Sequence, residues 1–182
     1  MSRALSALVL AFAVGCAQLP ERAPGEAASG GFEMTGRVAV RYGQDSASGR
    51  VQWRHTGATD DLLITNPLGQ GVARITRADG EVRLETSEGQ SYRANDAETL
   101  TEQVLGWRLP LQGLQDWVLG RPGPGVPVQA QRDNSGQLAS LRQDGWEVEY
   151  QEYSHSRPAR IRLTRPGVDI RLVIETMEDP RP

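Results

Sequence analysis

Lysine is absent: all 20 basic side chains among the 182 residues are arginine. That rules out a Schiff-base lysine and a glycine-rich phosphate loop completed by lysine. Histidine occurs twice and cysteine once. Neither His55 nor His155 has a cysteine or a second histidine at ligand spacing, so no metal site and no cofactor is expected. Both read as surface residues at strand ends. No Gly-x-Ser-x-Gly elbow is present for a serine hydrolase. Glu147, Glu149 and Glu152 lie close together, but the first two alternate with Trp146, Val148 and Tyr150. They form the solvated face of a strand rather than a glycosidase carboxylate pair. A basic excess is missing too, since the formal net charge is −3. Nothing is available to displace phosphate counterions, which argues against nucleic acid as a partner. The chain is therefore not expected to be an enzyme.

The one extended apolar run lies at the N-terminus. Arg3 precedes Ala4 to Val14, which is apolar apart from Ser6. It is too short to span a bilayer as a helix and has the shape of an export signal. The single cysteine, Cys16, ends it, and a lone cysteine in an exported chain cannot form an internal disulfide. Ala13-Val14-Gly15-Cys16 resembles a bacterial lipobox. Residues 1–15 are then a signal peptide, and Cys16 carries diacylglyceryl and N-acyl groups after cleavage. Ala17, where an Asp would retain enterobacterial lipoproteins at the inner membrane, points to the periplasmic face of the outer membrane in a Gram-negative bacterium. Residues 16–31 hold the lipidated cysteine and a tether without apolar period, a coil spanning roughly 20 Å.

From Phe32 the hydrophobic period is two. Val38 and Val40 alternate with Arg37, Ala39 and Arg41, and Val51 and Trp53 with Arg50, Gln52 and Arg54. These are half-buried strands with one solvated face. Further strands fall at 62–64, 72–75, 82–84, around Tyr92, and at 126–131, 138–141, 146–153, 160–164 and 168–175. The 20 glycines and 11 prolines supply the turns between them. The pattern changes at Asn95, which can cap a helix with Glu98 reaching back, followed by Ala97, Leu100 and Val104 at helical spacing. A second short helix fits Gly106 to Gly120, where Leu111, Leu114 and Val118 share a face beside Trp117, Pro110 opens the segment and Gly120 closes it. Periodicity alone allows this helix to be a plug or a lid. The count is about eleven antiparallel strands with two helices between the sixth and seventh, a sheet that must curl into an open or closed barrel.

Asn66-Pro67-Leu68-Gly69 is a tight-turn sequence with an apolar tip. Leu68 either folds back on the sheet edge or remains exposed for something apolar to receive it, and burial recovers ~1.5–3 kcal/mol.

Taken together, Leu63…Asn66-Pro67-Leu68-Gly69, Gly106…Leu109-Pro110-Leu111…Leu114…Trp117…Gly120, Gln143-Asp144-Gly145-Trp146…Tyr150 and Pro158…Ile161-Arg162-Leu163 resemble the LolB family of outer-membrane lipoprotein receptors. The resemblance runs from about Phe32 to Ile174. It implies a mainly β fold over residues 32–177, an unclosed antiparallel barrel with a helical lid over an apolar cavity, followed by a tail at 178–182. It also implies a function: accepting lipoproteins from a periplasmic LolA-like carrier and placing them in the inner leaflet of the outer membrane. The partners are then the carrier, lipoprotein acyl chains and outer-membrane phospholipid, and the protein acts as a monomer. Leu68 takes the membrane-insertion role and Cys16 the lipid anchor. The expected acyl-chain cavity and lid comprise Val38, Val40, Val51, Trp53, Leu62, Ile64, Leu100, Leu111, Leu114, Trp117, Trp146 and Val148. The chain departs from the family pattern in two places. The tether replaces an aromatic helical segment before the first strand, and Glu175-Thr176-Met177 stands where Trp is expected. The competing reading is a non-catalytic, lipid-anchored binding or scaffold module with a solid core.

Overall fold

The computed structural model describes residues 31–125 and 128–180. In chain order the elements begin with β1 (Phe32–Tyr42), β2 (Asp45–Thr56), β3 (Thr59–Thr65), β4 (Gly71–Ala78), β5 (Glu81–Thr86) and β6 (Ser91–Ala94). Helices α1 (Ala97–Leu105) and α2 (Leu111–Trp117) follow. The chain ends with β7 (Gln129–Arg132), β8 (Leu138–Gln143), β9 (Trp146–Ser154), β10 (Arg157–Arg165) and β11 (Val168–Glu178).

All eleven strands belong to one sheet, ordered β6-β5-β4-β3-β2-β1-β11-β10-β9-β8-β7. Every pairing is antiparallel. The first and last strands meet at the centre, with Val38 opposite Leu172 and Val40 opposite Ile170. Hairpins build outward from β1 to the β6 edge. The chain then crosses to the β7 edge and returns by hairpins to the centre. The two edges do not pair with each other, so the barrel is open. That crossing carries α1 and α2 against the apolar face of the curled sheet, and topology alone places the helices there.

Alternation sorts the strand residues as period two requires. In β2, Val51, Trp53 and His55 are buried while Arg50, Gln52 and Arg54 are exposed. The expectation of a surface His55 is thus corrected: it shares the inward phase of Val51 and Trp53. Phe32 packs edge-on against Trp53, ring centroids 4.8 Å apart, and against His55. These three rings form a buried cluster at the start of β1.

The first helix starts one residue later than the sequence suggested. Its cap is Asp96, whose carboxylate accepts the Thr99 amide at 2.7 Å, rather than Asn95. Glu98 does not close a capping box; it lies 3.4 Å from Arg165 on β10. Starting at Ala97 turns Ala97, Leu100 and Thr101 inward, which decides between two adjacent capping residues. Gly106 ends α1 in the left-handed conformation with φ 80°, its amide bonded to Glu102 O at 3.1 Å.

Helix α2 buries Leu111, Leu114 and Trp117, with Val118 buried directly after it. The Trp117 indole folds back over Gly113 one turn earlier, and a Cβ at position 113 would lie inside van der Waals contact of that ring. Helix propensity alone favours alanine at this position by ~1 kcal/mol. We expect the opposite sign: Gly113→Ala should destabilise the domain by ~1–3 kcal/mol, because Trp117 cannot move out of its packed site. Urea unfolding checks this, and a rise in midpoint would contradict it.

Candidate functional site: an apolar cavity and an exposed turn

The concave face of the sheet and the helical crossing enclose a cavity of about 120 Å³. Its wall comes from β1 (Met34, Val38, Val40), β2 (Val51, Trp53), β3 (Leu62, Ile64), β10 (Leu163) and β11 (Ile170, Leu172). Trp107 and Leu109, from the linker between the helices, and Leu114 of α2 close it. One end reaches Ser48, Gly49, Thr65 and Val72, beside the β3–β4 turn, and there Val72 is partly exposed.

Of the twelve residues expected around the cavity, Val38, Val40, Val51, Trp53, Leu62, Ile64 and Leu114 line it. Leu100, Leu111, Trp117, Trp146 and Val148 do not; they are buried in packed core. The cause is visible at Trp117. Its Nε1 donates to Gln143 Oε1 at 2.9 Å, and Gln143 also bonds both the N–H and the C=O of Gly123. The helix is thereby fastened to β8 and to its own exit loop. Trp146 lies under the Arg165 guanidinium, 5.4 Å from the ring centroid. Thus α2 is packed as a plug along its Leu111/Trp117 side, while Trp107, Leu109 and Leu114 lie over the cavity. Two signals for the lining residues that sequence reasoning missed were present: Trp107 and Leu109 directly precede the Pro110 helix start, and Leu163, Ile170 and Leu172 continue the alternation of the last two strands.

The helical crossing is held by polar contacts with little exposure to water. Thr101, fully buried, accepts the Leu109 amide on Oγ1 at 2.9 Å and donates that hydroxyl to Ala97 O. Asp60 on β3 is a second fastening, unanticipated from the sequence. Its buried carboxylate accepts from Trp53 Nε1 (2.9 Å), Arg77 Nε (2.6 Å) and Gln115 Nε2 of α2 (2.8 Å), and lies 2.9 Å from His55 Nδ1. An ionised carboxylate only accepts, so Nδ1 of His55 carries a proton. Burial by itself would raise the Asp60 carboxyl. The hydrogen bonds from His55 and Trp53 and the charge of Arg77 outweigh it, leaving the group below its ordinary value of 3.8.

The β3–β4 turn has two counterparts in the same sheet. In the turns starting at Asn66, Thr86 and Asp133, the first residue donates its amide to the carbonyl of a Gln four positions on, at 2.8, 3.0 and 2.9 Å. In each, the fourth residue is a glycine with φ of 85°, 78° and 84°. The third residue is Leu68, Glu88 and Ser135 respectively. The backbone shape therefore makes no demand for leucine. Leu68 is 85% exposed, the most of any large hydrophobic among the described residues. It does not fold back on the sheet edge. Asn66 braces the turn, its Oδ1 accepting the amides of Leu68 and Gln70.

Cys16 and the lipobox lie outside the described residues. Among the described residues no group of three or more His, Cys, Asp or Glu is placed to hold a metal, and no helix is long and apolar enough to cross a membrane.

An unclosed antiparallel sheet with a helical crossing on its concave face has counterparts among solved structures. A crystal structure of a LolA superfamily protein from Nitrosomonas europaea superposes with a TM-score of 0.50 at 16% identity, covering 82% of this chain and 87% of that one. Sequence narrows the class. The family model for outer membrane lipoprotein LolB matches residues 30–176. The outer-membrane lipoprotein LolB of Nitrosomonas europaea is 43% identical over 79% of this chain and 71% of its own length. That of Thiobacillus denitrificans is 37% identical over 93% and 94%. The chain belongs to the LolB family. It is a non-catalytic outer-membrane lipoprotein with a role in lipoprotein localisation.

Asp60 has a testable consequence. Its folded-state pKa lies below the unfolded one, so its ionised form contributes stability above about pH 4 that is lost as pH falls through the folded value. We expect Asp60→Asn to cost about 2–4 kcal/mol at neutral pH. The variant should also lose less further stability on acidification than the parent does. Urea titrations at neutral and acid pH measure both. Parallel pH profiles for the two proteins would contradict the assignment.

Proposed function

We propose that this protein takes acyl chains of lipoproteins from a LolA-type periplasmic carrier into the cavity and releases them to the inner leaflet of the outer membrane through the Leu68 turn. The observation that carries this reading is the exposed Leu68. It occupies the tip position that is polar in both counterpart turns, and its turn lies between Thr65 and Val72, which line one end of an apolar cavity.

The physics of the cargo fits these parts. Each acyl methylene left in water costs ~0.8 kcal/mol, so the chains need cover until the bilayer is reached. A cavity of about 120 Å³ is comparable to one that encloses a single benzene. An acyl chain is far longer. Acceptance therefore requires Trp107, Leu109 and Leu114 to lift away from the sheet while the Trp117–Gln143 side of α2 stays in place. Transfer runs down a ladder of affinities, from carrier to cavity to bilayer, and no nucleotide motif is present to drive it. In this reading Cys16 carries the lipid anchor, the tether at 16–31 lets the domain reach the membrane surface, and the protein works as a monomer.

Leu68→Glu should leave stability within ~0.5 kcal/mol of the parent, since the side chain packs on nothing. The same variant should accept cargo normally and deliver it to liposomes at least ~10-fold more slowly, the factor expected when a leucine's transfer to hydrocarbon is lost. Equal delivery would sink the role of Leu68. Separately, the folded protein should take up an apolar fluorophore that a lipoprotein displaces. Absence of uptake would favour a binding or scaffold module with a solid core.

A further inference from the structure

The outer face of the sheet carries an arginine-lined groove beside the Leu68 turn. Arg37 of β1, Arg50 of β2, Arg160 of β10 and Arg171 of β11 surround an open recess of about 600 Å³ whose lining contains no carboxylate. Pro67, the residue immediately before Leu68, forms part of its wall. Strand register explains the convergence: Arg37 lies opposite Arg50, and Arg37 and Arg160 both lie opposite Val173. The geometry points to a binding site for the phosphates of anionic phospholipid headgroups, used when Leu68 enters the bilayer.

Two features set this groove apart from an ordinary ion-paired strand face. The first is its charge balance. Arg37 lies 2.8 Å and Arg50 3.9 Å from the same carboxylate, Glu175. Arg171 reaches Asp169 only at 3.7 Å, because that carboxylate is already held by Arg162 at 2.9 Å. Arg160 pairs with Glu152 at 3.1 Å, and Arg162 also approaches Glu149 at 3.7 Å. Five guanidiniums thus share four carboxylates, a local positive excess on a chain whose net charge is −3. Each groove arginine has a side chain at least half exposed. A guanidinium offers five N–H donors in a planar fork, so one carboxylate contact leaves donors free for a phosphate.

The second feature is position. A side chain that enters the acyl region brings its neighbours to headgroup depth. Pro67 makes the groove continuous with Leu68, so a turn that seats its leucine in a leaflet presents four guanidiniums to the phosphate layer above it. Anionic headgroups attract arginine near a membrane surface within a Debye length. The leucine supplies penetration and the groove supplies orientation. The inference rests on the reading of Leu68 as the membrane-entering residue.

The test uses the full chain reconstituted in phosphatidylcholine vesicles with and without phosphatidylglycerol. Transfer of a fluorescent lipoprotein from loaded carrier is followed in two stages, loss from the carrier and arrival in the bilayer. The variants are Arg50→Gln, whose one ion pair among the described residues is long and which should fold normally, and the triple variant Arg37→Gln/Arg50→Gln/Arg171→Gln. On phosphatidylglycerol vesicles at low salt the triple variant should deliver at least ~10-fold more slowly and Arg50→Gln severalfold more slowly. High salt should bring the parent down towards both, while acceptance from the carrier stays unchanged throughout. Unimpaired delivery by Arg50→Gln, with its fold verified by circular dichroism, would overturn the proposal. So would impaired acceptance with normal delivery, which would assign the groove to the carrier instead. Leu68→Glu is run on the same vesicles. Normal delivery by that variant overturns the insertion reading, whereas blocked delivery by it beside unimpaired arginine variants overturns the groove alone.

Discussion

The Asp60 carboxylate is where the two layers of this protein are joined. It collects bonds from β2 through Trp53 and His55, from β4 through Arg77 and from α2 through Gln115. A lone buried carboxylate would be strongly disfavoured, and a set of donors converging from three elements is what makes this one tolerable. The same set works in reverse: the donors find their acceptor only when the strands are in register and α2 lies across the sheet. An apolar face alone would let the helix slide. The carboxylate, with the Trp117–Gln143 bond, fixes where along the sheet it rests.

The helical crossing divides into a side packed into the core and a side that lies over a hollow. Leu111, Trp117 and Val118 are packed into the core, with Trp117 bonded to Gln143. Trp107, Leu109 and Leu114 face a hollow instead. Interiors pack at crystal density, so a void under three large side chains costs contact energy that a core designed only for stability would recover. A cavity maintained beneath a helix that is anchored at one side is the feature on which the proposed uptake of acyl chains rests.

Outside the barrel, the sheet is an antiparallel surface with ion-paired charges across neighbouring strands, and Leu68 is the exception. The turns at Thr86 and Asp133 reach the same backbone geometry with Glu88 and Ser135 at the tip. An apolar side chain that shape does not require and packing does not shelter is what the proposed insertion into a bilayer would use.

Strand number, the placement of both helices between the sixth and seventh strands, and the turn around Leu68 were legible in the sequence. Period-two alternation, glycine-bearing turns and the Asn66-Pro67 pair are local features, readable within a few residues. The family could be recognised too, since its motifs are short and ordered along the chain. Tertiary structure decided what depends on residues distant in sequence. Whether Leu68 packs or projects depends on the sheet edge near it, which no local pattern describes. His55 was misread although it shares the phase of Val51 and Trp53; what the sequence does not display is its partner, Asp60, which the β2–β3 hairpin sets opposite it. Trp117 and Leu114 lie on one helical face and are indistinguishable by periodicity. One meets Gln143 and the other meets a void, because the chain crosses from one sheet edge to the other at a particular height. Alternation states that a residue is inside; it cannot state whether the inside at that point is filled.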